Sequence, residues 1–514
     1  MSQHSQKDDG PEGREIAAAA DEASLDPADW GEFRALCHEM LDEALAHLET
    51  ARARPVWRPV PEAVKAALAE PLPHKPQGAA QVCADFRRLV LPYGTGNTHP
   101  RFFGWVHGSG TPGGMLAELL AGAMNANLGG RDHGPVYVER QVIEWCRQLF
   151  GFPAEAGGLL VSGTSMASLI GLTVARNAKA GHDVRRLGLG SAAGSLVAYA
   201  SGEAHGSVAK ALEILGLGGA ALRRVPVDSG YRMDLDGLAR AIEDDKAAGL
   251  RPFCVVATAG TVNTGAIDDL AGIAEICRGQ DLWLHVDGAF GALAILSKAH
   301  KPRLAGIERA DSLAFDFHKW LHVPYDAGCI LVRRGELQRQ AFSSRQEYLA
   351  GAARGLAGGD PWFCEYGPEL SRGFRALKVW FTLKEHGLAK LGCKVDDNCR
   401  QAVTLAGRVR DHPRLELLAP VSLNIVCFRF TWPGATPEQL DRINREIVAE
   451  LQERGIAAPS TTRLGGALAI RVNITNHRSR QTDMDTLVEA LLAVGEELLS
   501  AAAPAAAPVR QASV

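Results

Sequence analysis

Four short stretches of this 514-residue chain carry side chains that could do chemistry. Ser162-Gly163-Thr164-Ser165 follows the apolar run Leu159–Val161 and precedes a helical pattern, Met166–Ala178. Small residues at a strand-to-helix turn let backbone N–H groups face an anion; the plainer reading is a capped helix. No Gly-Lys-Ser/Thr follows, so this is not a nucleotide-phosphate loop, and Ser165 lacks the second glycine of a nucleophile elbow. His285-Val286-Asp287-Gly288-Ala289 ends an apolar strand and offers a carboxylate, whose plain role would be to cap the next segment. Asp316-Phe317-His318-Lys319-Trp320 also follows a strand. A lysine there is costly unless it is paired or chemically used; standing alone it would read as a snorkelling surface residue. Ala204-His205-Gly206-Ser207 sets a histidine at a helix start. The histidines, including His99, His107, His133, His205, His285, His318 and His322, show no H-E-x-x-H or similar ligand spacing, so no metal is expected.

One chemistry uses all four stretches. Pyridoxal 5′-phosphate needs a phosphate cradle, a carboxylate for its ring nitrogen, a lysine for its aldehyde and a flat side chain over its ring. Thr164 and Ser165 supply the cradle, Asp287 the carboxylate, Lys319 the amine and His205 the flat ring. Each fragment alone is weak, and together they are specific.

Strands must hold these turns at one edge of a sheet. Leu159–Val161, Ser195–Ala200, Phe253–Thr258, Trp283–Val286, Ser312–Phe315 and Cys329–Val332 read as short buried strands. Helical runs such as Ser165–Ala178, Ser207–Leu215 and Leu270–Cys277 lie between them. This alternation predicts an α/β fold with a mainly parallel sheet covered on both faces, which places ligands at the carboxyl ends of its strands. From about 395 the pattern changes to helix (Cys399–Asp411), strand (Ile425–Phe430), helix (Pro437–Arg454), strand (Ala467–Asn473) and helix (Asp483–Leu499), a smaller α+β unit. The division expected is therefore a tail at 1–28, a helical arm at 29–98, a large domain at 99–394, a small domain at 395–500 and a second tail at 501–514. The arm carries a helical period over Trp30–Arg52 and Val64–Leu68 but too little apolar surface for its own core, so it must pack on the main domain or on a second subunit.

Composition narrows the class. Hydrophobic residues are 46% and charged residues 22%, which is globular, and the net charge of −4 argues against nucleic-acid binding through bulk charge. No apolar run approaches the ~18 residues a spanning helix needs, so a soluble, cytoplasmic protein with no membrane partner is expected. The ten cysteines are scattered without a C-x-x-C pair and read as ordinary thiols.

The sequence resembles the group II pyridoxal-phosphate-dependent amino acid decarboxylases, which include aromatic-L-amino-acid and glutamate decarboxylases. The stretches that carry this are THPRFFGW (Thr98–Trp105), AHGSVAKA (Ala204–Ala211), ATAGTVNTGAID (Ala257–Asp268), WLHVDGAFG (Trp283–Gly291), DFHKWLHVPYDAG (Asp316–Gly328), SRGFRALKVW (Ser371–Trp380) and SLNIVCFRF (Ser422–Phe430). The resemblance implies fold type I, the aspartate-aminotransferase-like architecture, and a homodimer with its active site at the subunit interface. It also implies decarboxylation of an L-amino acid to an amine and carbon dioxide. By family position Thr258 and Asp287 lie below or beside the cofactor ring, His205 above it, and His318 and Lys319 on the Schiff-base segment with His318 near the phosphate; Ala289 is a further cofactor-binding residue.

Three departures stand out. The aromatic enzymes carry Asn-Pro before the His-Lys pair, where this chain has Asp316-Phe317. An acid beside a phosphate is unfavourable, so Asp316 is expected to point elsewhere. In the substrate wall Trp105 stays aromatic, but His107, Gly108, Asn127 and Gly129 replace larger or more apolar groups. The wall formed by Trp105, His107 and Asn127 should therefore be roomier or more polar. The family uses a loop tyrosine to protonate the substrate carbon, and counting back from Ser371 sets Phe363 near that position, with Tyr366 and Tyr348 as alternatives. Phenylalanine there accompanies aldehyde formation in plant relatives, so aldehyde synthesis or another reaction on the same cofactor is the rival activity. A non-catalytic dimeric interaction protein is the rival of a different class.

Overall fold

The structure, a computed structural model, describes residues 24–190, 194–344 and 351–502. Tyr348 and most of both tails, 1–23 and 503–514, lie outside the described residues. The chain separates into two compact units. The described part of the first comprises residues 24–49 and 62–92, with helices α1 (Trp30–Glu49), α2 (Glu62–Ala67) and α3 (Ala79–Asp85). Arg87 ties it internally, bonding Glu39 at 2.6 Å and also pairing with Glu43. Helix α1 buries none of its residues, and Trp30 and Phe33 stay exposed, in keeping with an arm that has no core of its own. Thr50–Pro61 belongs instead to the second unit, so the arm read as one stretch over 29–98 is interrupted. The reason is local: Val56 is buried against Phe102 and Ala458, and its N–H donates to Gly455 O at 2.9 Å.

The second unit holds two sheets. The larger has strands β1 (Gly157–Val161), β2 (Leu196–Ser201), β3 (Leu222–Val225), β4 (Arg251–Thr258), β5 (Trp283–Asp287), β6 (Ser312–Asp316) and β7 (Gly328–Val332), in the order β1-β7-β6-β5-β4-β2-β3. The pairs among β3, β2, β4, β5 and β6 are parallel, and β7 runs antiparallel to both β6 and β1. Helices α4 (Pro112–Met124), α5 (Gly134–Leu149), α6 (Thr164–Lys179), α7 (Ser207–Ile214), α8 (Leu235–Ala247) and α9 (Leu270–Gln280) accompany it, with α10 (Gly335–Phe342) after β7. Strands covered on both faces are mainly apolar: β2, β5, β6 and β7 are buried at every position, and their polar residues, such as Asp287 and Asp316, sit mostly at the strand ends. Each fully buried Leu or Val contributes about 1.5–3 kcal/mol. This is the expected mainly parallel α/β fold, fold type I.

The smaller sheet has strands β8 (Leu415–Leu417), β9 (Ile425–Phe430), β10 (Ser460–Leu464) and β11 (Ala467–Asn473), antiparallel in the order β10-β11-β9-β8. Helices α12 (Pro437–Glu453) and α13 (Gln481–Ala502) pack with it. A boundary at 394/395 is not where the structure changes: helix α11 (Arg375–Asp411) runs through it and breaks its φ/ψ at Gly387. Amphipathic periodicity marks helix faces and gives no sign of which sheet each half of a long helix serves. Among the cysteines, Cys146, Cys254, Cys277, Cys329, Cys399 and Cys427 are buried free thiols. No described helix is long and apolar enough to cross a membrane.

Candidate active site

The carboxyl ends of β4, β5 and β6 and the start of α6 open on one cavity of about 560 Å³. Sequence-derived candidates Trp105, His107, Thr164, Ser165, His205, Thr258, Asp287, Ala289, His318 and Lys319 all line it. All but Trp105 and His107, which precede the first strand, arrive on the last residue of a strand or on the turn or helix start beyond. Thr258 ends β4 and Asp287 ends β5, paired with each other in the parallel register.

Asp287 is 3% exposed. Burial raises its pKa, while the nearby Lys319 charge and the N–H of Ala289, donating to Oδ1 at 3.2 Å, act the other way. Thr258 is held from behind by Asp268. The two Asp268 oxygens accept from Thr258 N and Met233 N, each at 2.7 Å, and burial pushes the Asp268 carboxyl up to about 6. On the opposite wall, Nδ1 of His205 accepts the Ser207 N–H at 3.2 Å and lies 2.8 Å from Ser207 Oγ. A neutral imidazole accepting at Nδ1 carries its proton on Nε2.

The site fits pyridoxal phosphate on three observations. The side-chain oxygens of Thr164 and Thr258 are buried without a hydrogen-bond partner, which is costly unless a ligand supplies one. Helix α6 begins at the cavity, and its N-terminal backbone donors favour an anion. The buried Asp287 carboxylate can take the positive ring nitrogen as its counter-charge. Close approach is built in as well: a Cβ on Gly108 would stand 2.0 Å from His318 O and 2.6 Å from Lys319 O, so only glycine lets this segment pass behind the lysine turn.

Asp316 corrects one expectation. It does not point away from the cradle. Its Oδ1 accepts the Thr164 N–H at the start of α6 at 2.7 Å, and its Oδ2 lies 3.0 Å from Lys319 Nζ and 3.6 Å from His318 Nε2. Repulsion by a phosphate was the reason to expect otherwise. A lysine ammonium and an orphan helix N–H within reach outweigh it in the protein's own contacts.

Other candidates are not brought to this cavity. Phe363 is buried in a core cluster with Leu159, Val161 and Ile170, with the Arg372 guanidinium 5.2 Å from its ring centroid, so it is not on the tip of a mobile loop. Tyr366 packs on the same cluster, and its carbonyl accepts from Gln338 Nε2 at 2.8 Å. Both are held by core packing, which counting residues along a loop cannot register. Asn127 is also absent from the wall: its Oδ1 accepts from Gly129 N at 2.9 Å and Arg372 N at 3.0 Å and so serves a turn. Arg372 is itself clamped to Glu139, both side chains at most 1% exposed, and donates to the carbonyls of Leu128 and Leu160.

The structure adds residues that pattern reading passed over. Tyr325 lines the cavity with its ring 4.3 Å from that of His318 and 5.9 Å from that of His107. Its signal was its place in the HKWLHVPYDAG run. Arg471, on β11, donates to Val262 O and Trp105 O, each at 2.8 Å, and so ties the small sheet to two cavity-lining segments. Nothing local in ALAIRVN announces that task. Trp105, with φ 48°, depends on such anchoring, because Asn473 Nδ2 also donates to its carbonyl at 2.7 Å. Burial, and then the charge of Lys319, lowers the pKa of His107, which keeps that ring neutral.

The profile of the pyridoxal-dependent decarboxylase conserved domain matches residues 61–431. The chain belongs to that family. It is 35% identical to an aromatic-L-amino-acid decarboxylase of Bacillus atrophaeus over 91% of this chain and 96% of that one. It is 31% identical to the Sus scrofa aromatic-L-amino-acid decarboxylase over 91% and 97%. Among solved structures, Oryza sativa TDC with PLP and tryptamine superposes with a TM-score of 0.85 at 26% identity, covering 92% of this chain and all of that one. The decarboxylase is thus a pyridoxal-phosphate-dependent carboxy-lyase of amino acids.

Proposed function

We propose that this carboxy-lyase acts on an aromatic L-amino acid, as a cytoplasmic homodimer, and returns the amine and carbon dioxide. The observation that carries the substrate class is a row of rings beside the lysine. Phe102, Trp105, His107, Tyr325 and His318 follow one another with neighbouring centroids 4.3 to 6.2 Å apart. Such a wall favours a flat side chain. A neutral His107 within it adds a hydrogen-bonding group suited to a ring that carries a hydroxyl or N–H. The named activity of the Bacillus atrophaeus relative supports the same class.

When bound, pyridoxal phosphate supplies an electron sink for the bond broken as carbon dioxide leaves. In this reading the start of α6, with Thr164 and Ser165, binds the phosphate, and Ala289, Thr258 and His318 line the seat. Asp287 holds the ring nitrogen protonated. His205 covers the ring face and shields it from water. Lys319 Nζ would hold the cofactor by its aldehyde and would supply the amine that frees the product. Tyr348 is the loop acid that protonates the substrate carbon, a choice favoured because Phe363 and Tyr366 are committed to the core.

Exposed apolar side chains support a dimer: Leu116, Leu119, Leu120 and Met124 all lie on α4. Such a patch calls for a partner. A screen of amino acids for released carbon dioxide, with the products identified, tests the proposal. Release from tryptophan, tyrosine or dihydroxyphenylalanine with the matching amine is expected. Preference for glutamate or another acidic amino acid, or an aldehyde as main product, would overturn it.

A further inference from the structure

Two buried carboxylates serve one lysine, and the pyridoxal site accounts for only one of them. Asp287 faces the place of the ring nitrogen. Asp316, 2% exposed, bridges Lys319 Nζ at 3.0 Å and the first N–H of α6 at 2.7 Å. A carboxylate fixed at the seat of a phosphate repels it unless its charge is cancelled. The Lys319 ammonium cancels it before the covalent link forms. Forming the link takes that charge away, because only the neutral amine attacks an aldehyde.

We propose that Asp316 accepts the proton that Lys319 must lose when the cofactor is loaded, and so becomes neutral at the moment the phosphate settles beside it. The inference rests on reading α6 as the phosphate seat. The step balances. The ammonium passes one proton to Asp316 Oδ2, and the freed amine adds to the aldehyde carbon. A C=N bond replaces the C=O bond, and the aldehyde oxygen leaves as water after the amine's two remaining protons move to it. Lysine and acid carry no net charge together before or after, so the phosphate meets a neutral pair throughout. Asn at this position could keep the Thr164 N–H bond through its oxygen but could take no proton.

The test uses the full-length apoprotein and two probes that separate the parts. Pyridoxal has the aldehyde without the phosphate; 4′-deoxypyridoxine 5′-phosphate has the phosphate without the aldehyde. Asp316→Asn should slow borohydride-trapped labelling of Lys319 by pyridoxal at pH 7 at least about tenfold, the low side of what a positioned proton acceptor provides. It should tighten the phosphate probe, read by tryptophan fluorescence, by about tenfold, because the carboxylate at the phosphate seat is gone while the Lys319 charge stays. Asp316→Glu should regain part of the labelling rate and guards against a folding defect in the Asn variant. Lys319 labelled at the wild-type rate in Asp316→Asn, or a phosphate probe bound more weakly there, overturns the proposal and leaves the site assignment standing. Label on a different lysine in the wild type overturns both.

Discussion

Asp287→Asn separates a cofactor-binding carboxylate from a structural cap. The side chain is 3% exposed and its hydrogen bond from Ala289 N is long, at 3.2 Å. In the apoprotein the carboxylate bears the cost of burial, which is what raises its pKa, and the attraction of Lys319 offsets part of it. An isosteric amide avoids that cost and can keep the Ala289 bond, so the apo variant should melt at or above the wild-type temperature. The loaded enzyme should behave in the opposite way. A charge-assisted hydrogen bond to the ring nitrogen is worth roughly 1.5–3 kcal/mol. At about 1.4 kcal/mol per decade, cofactor affinity should fall roughly 10- to 150-fold. Turnover with saturating cofactor should fall further, since a ring nitrogen that is not held protonated is a poorer electron sink. Fluorescence titration of the apoprotein gives the affinity, and thermal melts with and without cofactor give the stability. Affinity within about threefold of wild type, or an apo variant that melts well below it, would show that Asp287 only caps the β5 turn.

Lys319→Ala should lose the covalent cofactor link and nearly all turnover; borohydride reduction and peptide mapping of the wild type should label Lys319 and not Lys298 or Lys301. Tyr348→Phe should retain cofactor binding while slowing amine release and raising oxygen consumption and aldehyde, because the carbon left by carbon dioxide lacks its acid; Phe363→Tyr should change neither product nor rate. Limited proteolysis should cut first within about 351–362, where the described residues form no helix or strand and Leu356 is exposed; a first cut inside the β-sheets would contradict this. Glu139→Gln should destabilise the fold by about 3 kcal/mol or more, since it leaves the buried Arg372 guanidinium without its counter-charge; denaturant unfolding measures this, and a shift under about 1 kcal/mol contradicts the clamp.

The parts of this protein that the sequence determined by itself are those where chemistry and local geometry share a few adjacent residues. Strands buried on both faces are mainly apolar runs, so Trp283–Asp287 and Ser312–Asp316 were legible to within a residue. The turns after them are short, so Asp287 and Lys319 could be set at strand ends without coordinates, and both line the cavity. Ser162–Ser165 stood out as small residues at a strand-to-helix turn, and that turn lines the same cavity. Only the tertiary structure decided the contacts that cross long stretches of chain. Asp316 was expected to turn away because an acid repels a phosphate; its partners, Thr164 and Lys319, lie 152 residues before it and three after, and no pattern states that they converge. Phe363 and Tyr366 looked like loop residues until packing buried one and tied down the other. Arg471 sits in an ordinary strand and still holds Trp105 across 366 residues. Periodicity reports the face a residue shares with its neighbours in sequence. The partner a buried charge needs is set by desolvation and distance, and those exist only once the chain has folded.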